Sequence, residues 1–163
     1  MIDLSDPRSH AAVHEAGHVV AAVVLGVDVE GASITQGADD DARVLLGPLP
    51  HPAAFYLANP LALREEMEKR VLVLMAGWAA VSVLTGEYRR SSFGCERDFE
   101  QAEELAKRLY EPESVISCLN RSRQQVRGLL LSRWREVESV CDYLLEHESA
   151  VRETLVDLVS KRV

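Results

Sequence analysis

His14-Glu15-Ala16-Gly17-His18 lies inside a stretch that is apolar on almost every side, running through Val19-Val20-Ala21-Ala22-Val23-Val24-Leu25. Residues four apart on an α-helix share a face. A helix here therefore aims two imidazoles at one point, in surroundings where an unpaired polar group is costly to bury. The helix has its own boundary signals. Asp6-Pro7 reads as an N-cap followed by proline at the first helical position, and Gly26 as a C-terminal stop. A segment so uniformly apolar after Gly17 is expected to be central and buried. Gly17 costs a helix interior about 1 kcal/mol relative to alanine, which a closely approaching neighbour or the room needed by a metal site would explain.

The five residues fill the pattern H-E-x-x-H. Zinc takes neutral imidazole nitrogens in a tetrahedral set and, in catalytic sites, keeps one position for water. Glu15, between the two histidines, is placed to act as general base on that water. The plainer alternative is a pair of hydrogen-bonded core histidines. The spacing, the intervening acid and the apolar helix favour the metal.

Size and charge narrow the remaining classes. The chain has 163 residues, of which 47% are hydrophobic, enough for one domain with a proper core. Its formal net charge is −8, and no basic stripe is present, which argues against a nucleic-acid partner. Cys95, Cys118 and Cys141 are widely spaced and form no C-x-x-C, so a reducing compartment without a disulfide framework is expected. The N-terminus lacks the basic start of a secretory signal. The apolar run Val71 to Leu84 is shorter than the ~20 residues of a membrane span. A cytoplasmic protein with no membrane span is expected. The chain contains no G-x-x-x-x-G-K-[ST] phosphate loop.

Along the chain, Val27 to Thr35 and Arg43 to Gly47 read as two strands of a hairpin, joined by the acidic turn Gln36 to Asp41. That acid run reads as a solvated loop tip, without the ligand pattern of a calcium site. Pro48, Pro50 and Pro52 mark a loop carrying His51. Asn59-Pro60 repeats the cap-and-proline signal for a helix ending at Thr85-Gly86, with Glu65–Lys69 and Glu66–Arg70 spaced for i,i+4 pairs. Its small residues Ala76, Gly77, Ala79 and Ala80 would admit the first helix at close range. A further helix is expected from about Cys95 to Tyr110, with Ala102, Leu105, Ala106 and Leu109 as its apolar stripe. Asp98 heads that stripe, either facing a buried cation or merely resting in the first turn at the positive end of the helix dipole. From Glu113 onward the chain reads as helical, with Val126, Leu129, Leu130, Trp134, Val137, Cys141, Leu144 and Leu145 at three- and four-residue spacing. A break is expected at His147-Glu148-Ser149, and a last helix from Ala150. His147 reads as a surface residue, and His10 and His51 have no pattern supporting them as ligands.

His14-Glu15-Ala16-Gly17-His18-Val19-Val20-Ala21 resembles the zinc-binding segment of FtsH-type peptidases. Met75-Ala76-Gly77-Trp78-Ala79-Ala80-Val81 with Gly86 resembles their L-A-G-R-A-A-E…G segment. Gly94-Cys95-Glu96-Arg97-Asp98-Phe99-Glu100-Gln101-Ala102 is similar to their G-A-x-x-D-[LI]-x-x-A, in which the aspartate is the third zinc ligand. Order and approximate spacing agree from about Ala11 to Leu109. The resemblance implies Asp98 as third ligand beside His14 and His18. Trp78 and Val81 stand where the family has arginine and glutamate, and Cys95 where it has alanine. The family's membrane anchor and ATP-driven unfolding module have no counterpart in these 163 residues.

The expected architecture is mainly α: a zincin-like helical domain with a small β-hairpin after the first helix. It forms a single unit over 1–163, with a metal-site half at 1–110 and C-terminal helices at 111–163. The expected function is a zinc-dependent endopeptidase with Glu15 as its catalytic base. It would act on flexible or unfolded polypeptides, alone or as a homo-oligomer, or with a partner ATPase in trans. The alternatives are a non-catalytic zinc-stabilised binding domain on the same scaffold, and a zinc amidase for a small substrate.

Overall fold

A computed structural model of the chain describes residues 6–35, 42–86 and 95–160. Helix α1 spans Pro7–Leu25, and both ends are set by local chemistry. The Asp6 carboxylate accepts the backbone N–H of Arg8 at 3.2 Å and of Ser9 at 3.0 Å, satisfying two donors that the first helical turn leaves without partners. At the other end Gly26 takes a φ of 71°. Its N–H and that of Val27 donate back to Val23 and Ala22, at 3.2 and 2.9 Å, the paired closure for which a left-handed glycine is suited.

Strands β1 (Val29–Ile34) and β2 (Ala42–Leu46) pair antiparallel, with Ser33 opposite Arg43 and a bulge between Val29 and Gly31. The intervening acidic turn lies outside the described residues. The hairpin is not the whole sheet. A third strand, β3 (Ser149–Val151), pairs antiparallel on the other side of β1, with Ala150 opposite Ala32, giving the order β2-β1-β3. The expected helix start at Ala150 is thus corrected. Glu148 ends the preceding helix with a φ of 65°, the chain runs extended for three residues, and the last helix begins at Arg152. Three residues are too few to show a period of two in the sequence.

A short helix, α2 (Ala53–Ala58), follows the proline loop, with Pro52 at its N-cap. Helix α3 runs over Pro60–Thr85 and stops at Gly86, φ 70°, as its boundary signals imply. Asn59 does not cap it through its side chain; the Asn59 amide instead donates to the Phe55 carbonyl at 2.9 Å, closing α2. The expected Glu65–Lys69 and Glu66–Arg70 pairs give way to other partners, one at i,i+4 and one at i,i+3. Lys69 meets Glu66 at 2.6 Å, Arg64 meets Glu68 at 2.9 Å, and Arg70 reaches across to the Gly47 carbonyl at 2.6 Å.

Helices α4 (Glu96–Leu109), α5 (Pro112–Ser132), α6 (Trp134–His147) and α7 (Arg152–Ser160) complete the mainly α architecture. The C-terminal apolar stripe is divided at Arg133, which carries neither glycine nor proline to signal the break. Val126, Leu130, Val137, Cys141 and Leu144 are nonetheless fully buried, with Leu129, Trp134 and Leu145 packed at the margin of the same core. No helix among the described residues is long and apolar enough to cross a membrane. Cys95, Cys118 and Cys141 are buried and unbridged.

Helix α1 touches the sheet as well as α3, α5, α6 and α7, which is why it is apolar nearly all round. Its most extensive partner is α3. A Cβ on Gly17 would lie 2.5 Å from the Ala76 carbonyl oxygen and 2.7 Å from the Ala80 Cβ, so the two helix backbones meet where both sequences are small. In an isolated helix Gly17→Ala would stabilise by about 1 kcal/mol. Here it is expected to destabilise the protein by about 1–3 kcal/mol through overpacking, read from the midpoint of denaturant unfolding; an unchanged or raised midpoint would contradict this packing.

Candidate metal centre

His14, Glu15 and His18 lie on the stretch of α1 enclosed by α3, and all three are buried. The His14 and His18 rings meet edge to face, 4.7 Å between centroids. Their Nε2 atoms are 3.0 Å apart. From the first turn of α4, Asp98 Oδ2 joins them, 3.0 Å from His14 Nε2 and 3.1 Å from His18 Nε2. Asp98 therefore does more than rest on the helix dipole. Among the described residues, no other trio of His, Cys, Asp or Glu converges in this way.

Hydrogen bonding behind the rings fixes what they present in front. His18 Nδ1–H donates to the Val73 carbonyl at 2.7 Å, so a neutral His18 turns a lone pair at Nε2 toward the other two atoms. His14 Nδ1 lies 3.7 Å from the buried Cys95 Sγ, a weak partner that leaves its Nε2 pointing the same way. Three electronegative atoms thus face one point and need a shared proton or a cation between them. In the protein alone a ring N–H fills that role. Burial works most strongly against a charged His18, but the hydrogen bond and charge of Asp98, the charge of Glu15 and the Val73 carbonyl together push it up to about 9. At His14 burial, joined by the charges of His18 and His10, outweighs the hydrogen bond and charge of Asp98 and pushes that group down. Burial also opposes the Asp98 carboxylate, yet the two imidazoles hold it well below the usual carboxylate range.

The donor set fits a metal ion of zinc's size. Tetrahedral ligands about 2.0–2.1 Å from a common centre lie roughly 3.3 Å from one another, close to the 3.0–3.1 Å found here. Imidazole and carboxylate donors also match zinc's preferences. The Asp98 side chain is 22% exposed against 7% for each histidine, so the trio is embedded on the α1 side and accessible on the α4 side. It opens into a cleft of about 460 Å³ that Glu15 and all five residues of β2 also line.

Two supports were not legible as functional in the sequence. A Cβ on Gly77 would sit 2.5 Å from Nε2 of both histidines; the glycine provides the space in which the rings converge. Only its place in a small-residue run hinted at this. The second is the anchoring of α4. Trp78 is buried, and the Arg123 guanidinium lies 5.6 Å from its ring and 4.7 Å from that of Phe99, at cation–π range. Phe99 follows Asp98 directly, so this contact between α3, α4 and α5 helps hold the carboxylate in place. Val81 is a core residue.

Cys95 stands behind His14, away from the converging atoms, and its thiol is pushed up to about 12 by burial and by the charges of Asp98, Glu96 and Glu15. The other histidines stay apart from the trio. His10 is half-buried, His51 packs on Phe55 with 4.2 Å between centroids, and exposed His147 donates to the Tyr143 carbonyl at 3.1 Å.

No protein-family model matches the chain. Over 109 residues, 64% of its length, the chain is 32% identical to the ATP-dependent zinc metalloprotease FtsH 2 of Symbiobacterium thermophilum. The chain spans only 16% of that protein's length. This similarity supports a relationship to an FtsH peptidase region.

If Gly77 is what lets the rings converge, Gly77→Ala is expected to weaken zinc retention by about 10–100-fold, the scale seen when groups supporting metal ligands are lost. Competition with a chromophoric chelator would measure it, and wild-type affinity in the variant would show the spacing to be unimportant.

Proposed function

We propose that this chain is a zinc-dependent endopeptidase domain of the FtsH type, with His14, His18 and Asp98 as metal ligands and Glu15 as general base. The observation that carries the reading is the convergence of Asp98 Oδ2 on the two imidazoles, at the wall of a cleft that Glu15 lines. The distant similarity to a zinc metalloprotease supports it.

Zinc held there would supply Lewis-acid polarisation of a peptide carbonyl and lower the pKa of a water. The Val73 carbonyl fixes the tautomer and ring angle of His18, and Cys95 backs His14. Glu15 takes a proton from the attacking water and returns it to the leaving nitrogen as the C–N bond breaks. Net, one water is consumed and one carboxyl and one amine are released. Strand β2 is at the edge of the sheet and all of it faces the cleft, so an extended peptide can lie alongside it by strand addition. These 163 residues hold no P-loop motif, and the domain by itself is proposed to act on flexible or unfolded polypeptides, or on chains delivered by an ATPase in trans.

Glu15→Gln is expected to retain zinc while casein cleavage falls by about 10²–10⁴-fold, the usual share of a general base. Cleavage by the variant at the wild-type rate would rule out the mechanism. Wild-type protein that binds zinc stoichiometrically and cuts nothing would instead favour the non-catalytic scaffold.

A further inference from the structure

The chain carries 26 acidic and 18 basic side chains, a formal charge of −8, yet the described lining of the cleft beside the His14–His18–Asp98 trio has the opposite bias. Arg43 from β2, Arg70 from α3 and Arg97 from α4 all line it, and the carboxylates among its described lining residues are Glu15 and Asp98 alone. Asp98 is already engaged by the two imidazoles.

The three arginines come from different elements and surround the space rather than forming a stripe along one helix. Arg43 is exposed on the edge strand, opposite Ser33 in the β1 register, and makes no ion pair among the described residues. Arg97 is exposed and precedes Asp98 in the first turn of α4. Arg70 is half-buried. One end of its guanidinium donates to the Gly47 carbonyl at 2.6 Å, while its Nε is shielded from solvent with no acceptor among the described residues. Its charge still stands at the cleft wall, and an incoming carboxylate is a suitable acceptor for the exposed guanidinium groups of Arg43 and Arg97.

From this arrangement we infer that the cleft selects acidic polypeptide segments, with Arg43, Arg70 and Arg97 as its specificity-determining residues. The inference rests on the peptidase reading for its choice of a polypeptide as ligand. A chain laid along β2 passes Arg43 directly and carries its side chains between the faces formed by α3 and α4. Glutamate or aspartate side chains there gain charge-assisted hydrogen bonds, whereas lysine side chains meet like charge.

The test uses three fluorescent peptides of one unstructured sequence, differing only in whether four positions hold Glu, Gln or Lys. Binding is read by anisotropy on the zinc-loaded Glu15→Gln protein, and cleavage separately on the wild type. The Glu peptide is expected to bind about tenfold more tightly than the Gln peptide, and the Lys peptide more weakly than both. In the Arg43→Gln/Arg97→Gln double variant, which alters exposed positions only, the Glu-to-Gln ratio is expected to fall to about threefold or less. Equal binding of the three peptides, preference for Lys, no detectable binding, or an unchanged ratio in the double variant overturns the inference. If the Glu peptide is selectively bound but no peptide is cut by the wild type, the peptidase reading fails and the acidic-ligand cleft stands.

Discussion

Two imidazole nitrogens and a carboxylate oxygen within 3.1 Å of one another can share a largely buried site only if a proton or a cation stands among them. That constraint organises the molecule. It gives a hydrophobic helix a reason to carry two histidines and an acid at its most enclosed point, and it gives α4 a reason to present an aspartate at its N-terminal end. A proton on His18 satisfies the requirement in the protein alone. A divalent ion would also satisfy it, and the three atoms stand within a few tenths of an ångström of the separations such an ion would impose.

Bringing those atoms together depends on the absence of side chains elsewhere. Gly17 lets α1 and α3 approach until backbone meets Cβ, and Gly77 leaves the gap that the imidazole rings fill. Placement of the third atom depends on packing some distance from it. Trp78, Arg123 and Phe99 join α3, α5 and α4 next to Asp98. Trp78 departs from the arginine of the resembling family, and its position shows the residue at work in the core that orients α4.

Much of this was legible in the residues. The limits of α1 and α3 follow from Asp6-Pro7, Asn59-Pro60, Gly26 and Gly86, and the histidine pair from the four-residue spacing. Asp98 could be set at the head of its stripe, but which role it plays there depends on a distance across 80 residues or more of sequence. Strand β3 is too short to show a pattern, and its pairing with β1 is a tertiary event. The break at Arg133 has no helix-breaking residue. Asn59 sits where a cap belongs yet bonds backward to α2, because the helix before it offers its carbonyl at the same place. The Lys69, Arg64 and Arg70 contacts show that charged side chains choose among several partners of nearly equal worth. The clustering of three arginines at one cleft, from positions 43, 70 and 97, emerges only when the elements are assembled.

X-ray absorption at the zinc edge of the metal-loaded protein addresses the central claim most directly. Joint ligation by His14, His18 and Asp98 predicts two imidazole scattering patterns and light-atom neighbours at about 2.0–2.2 Å, with no sulfur shell near 2.3 Å, and a changed spectrum or lost metal in Asp98→Ala. A sulfur neighbour contributed by Cys95, or a spectrum that Asp98→Ala leaves unaltered, would contradict it.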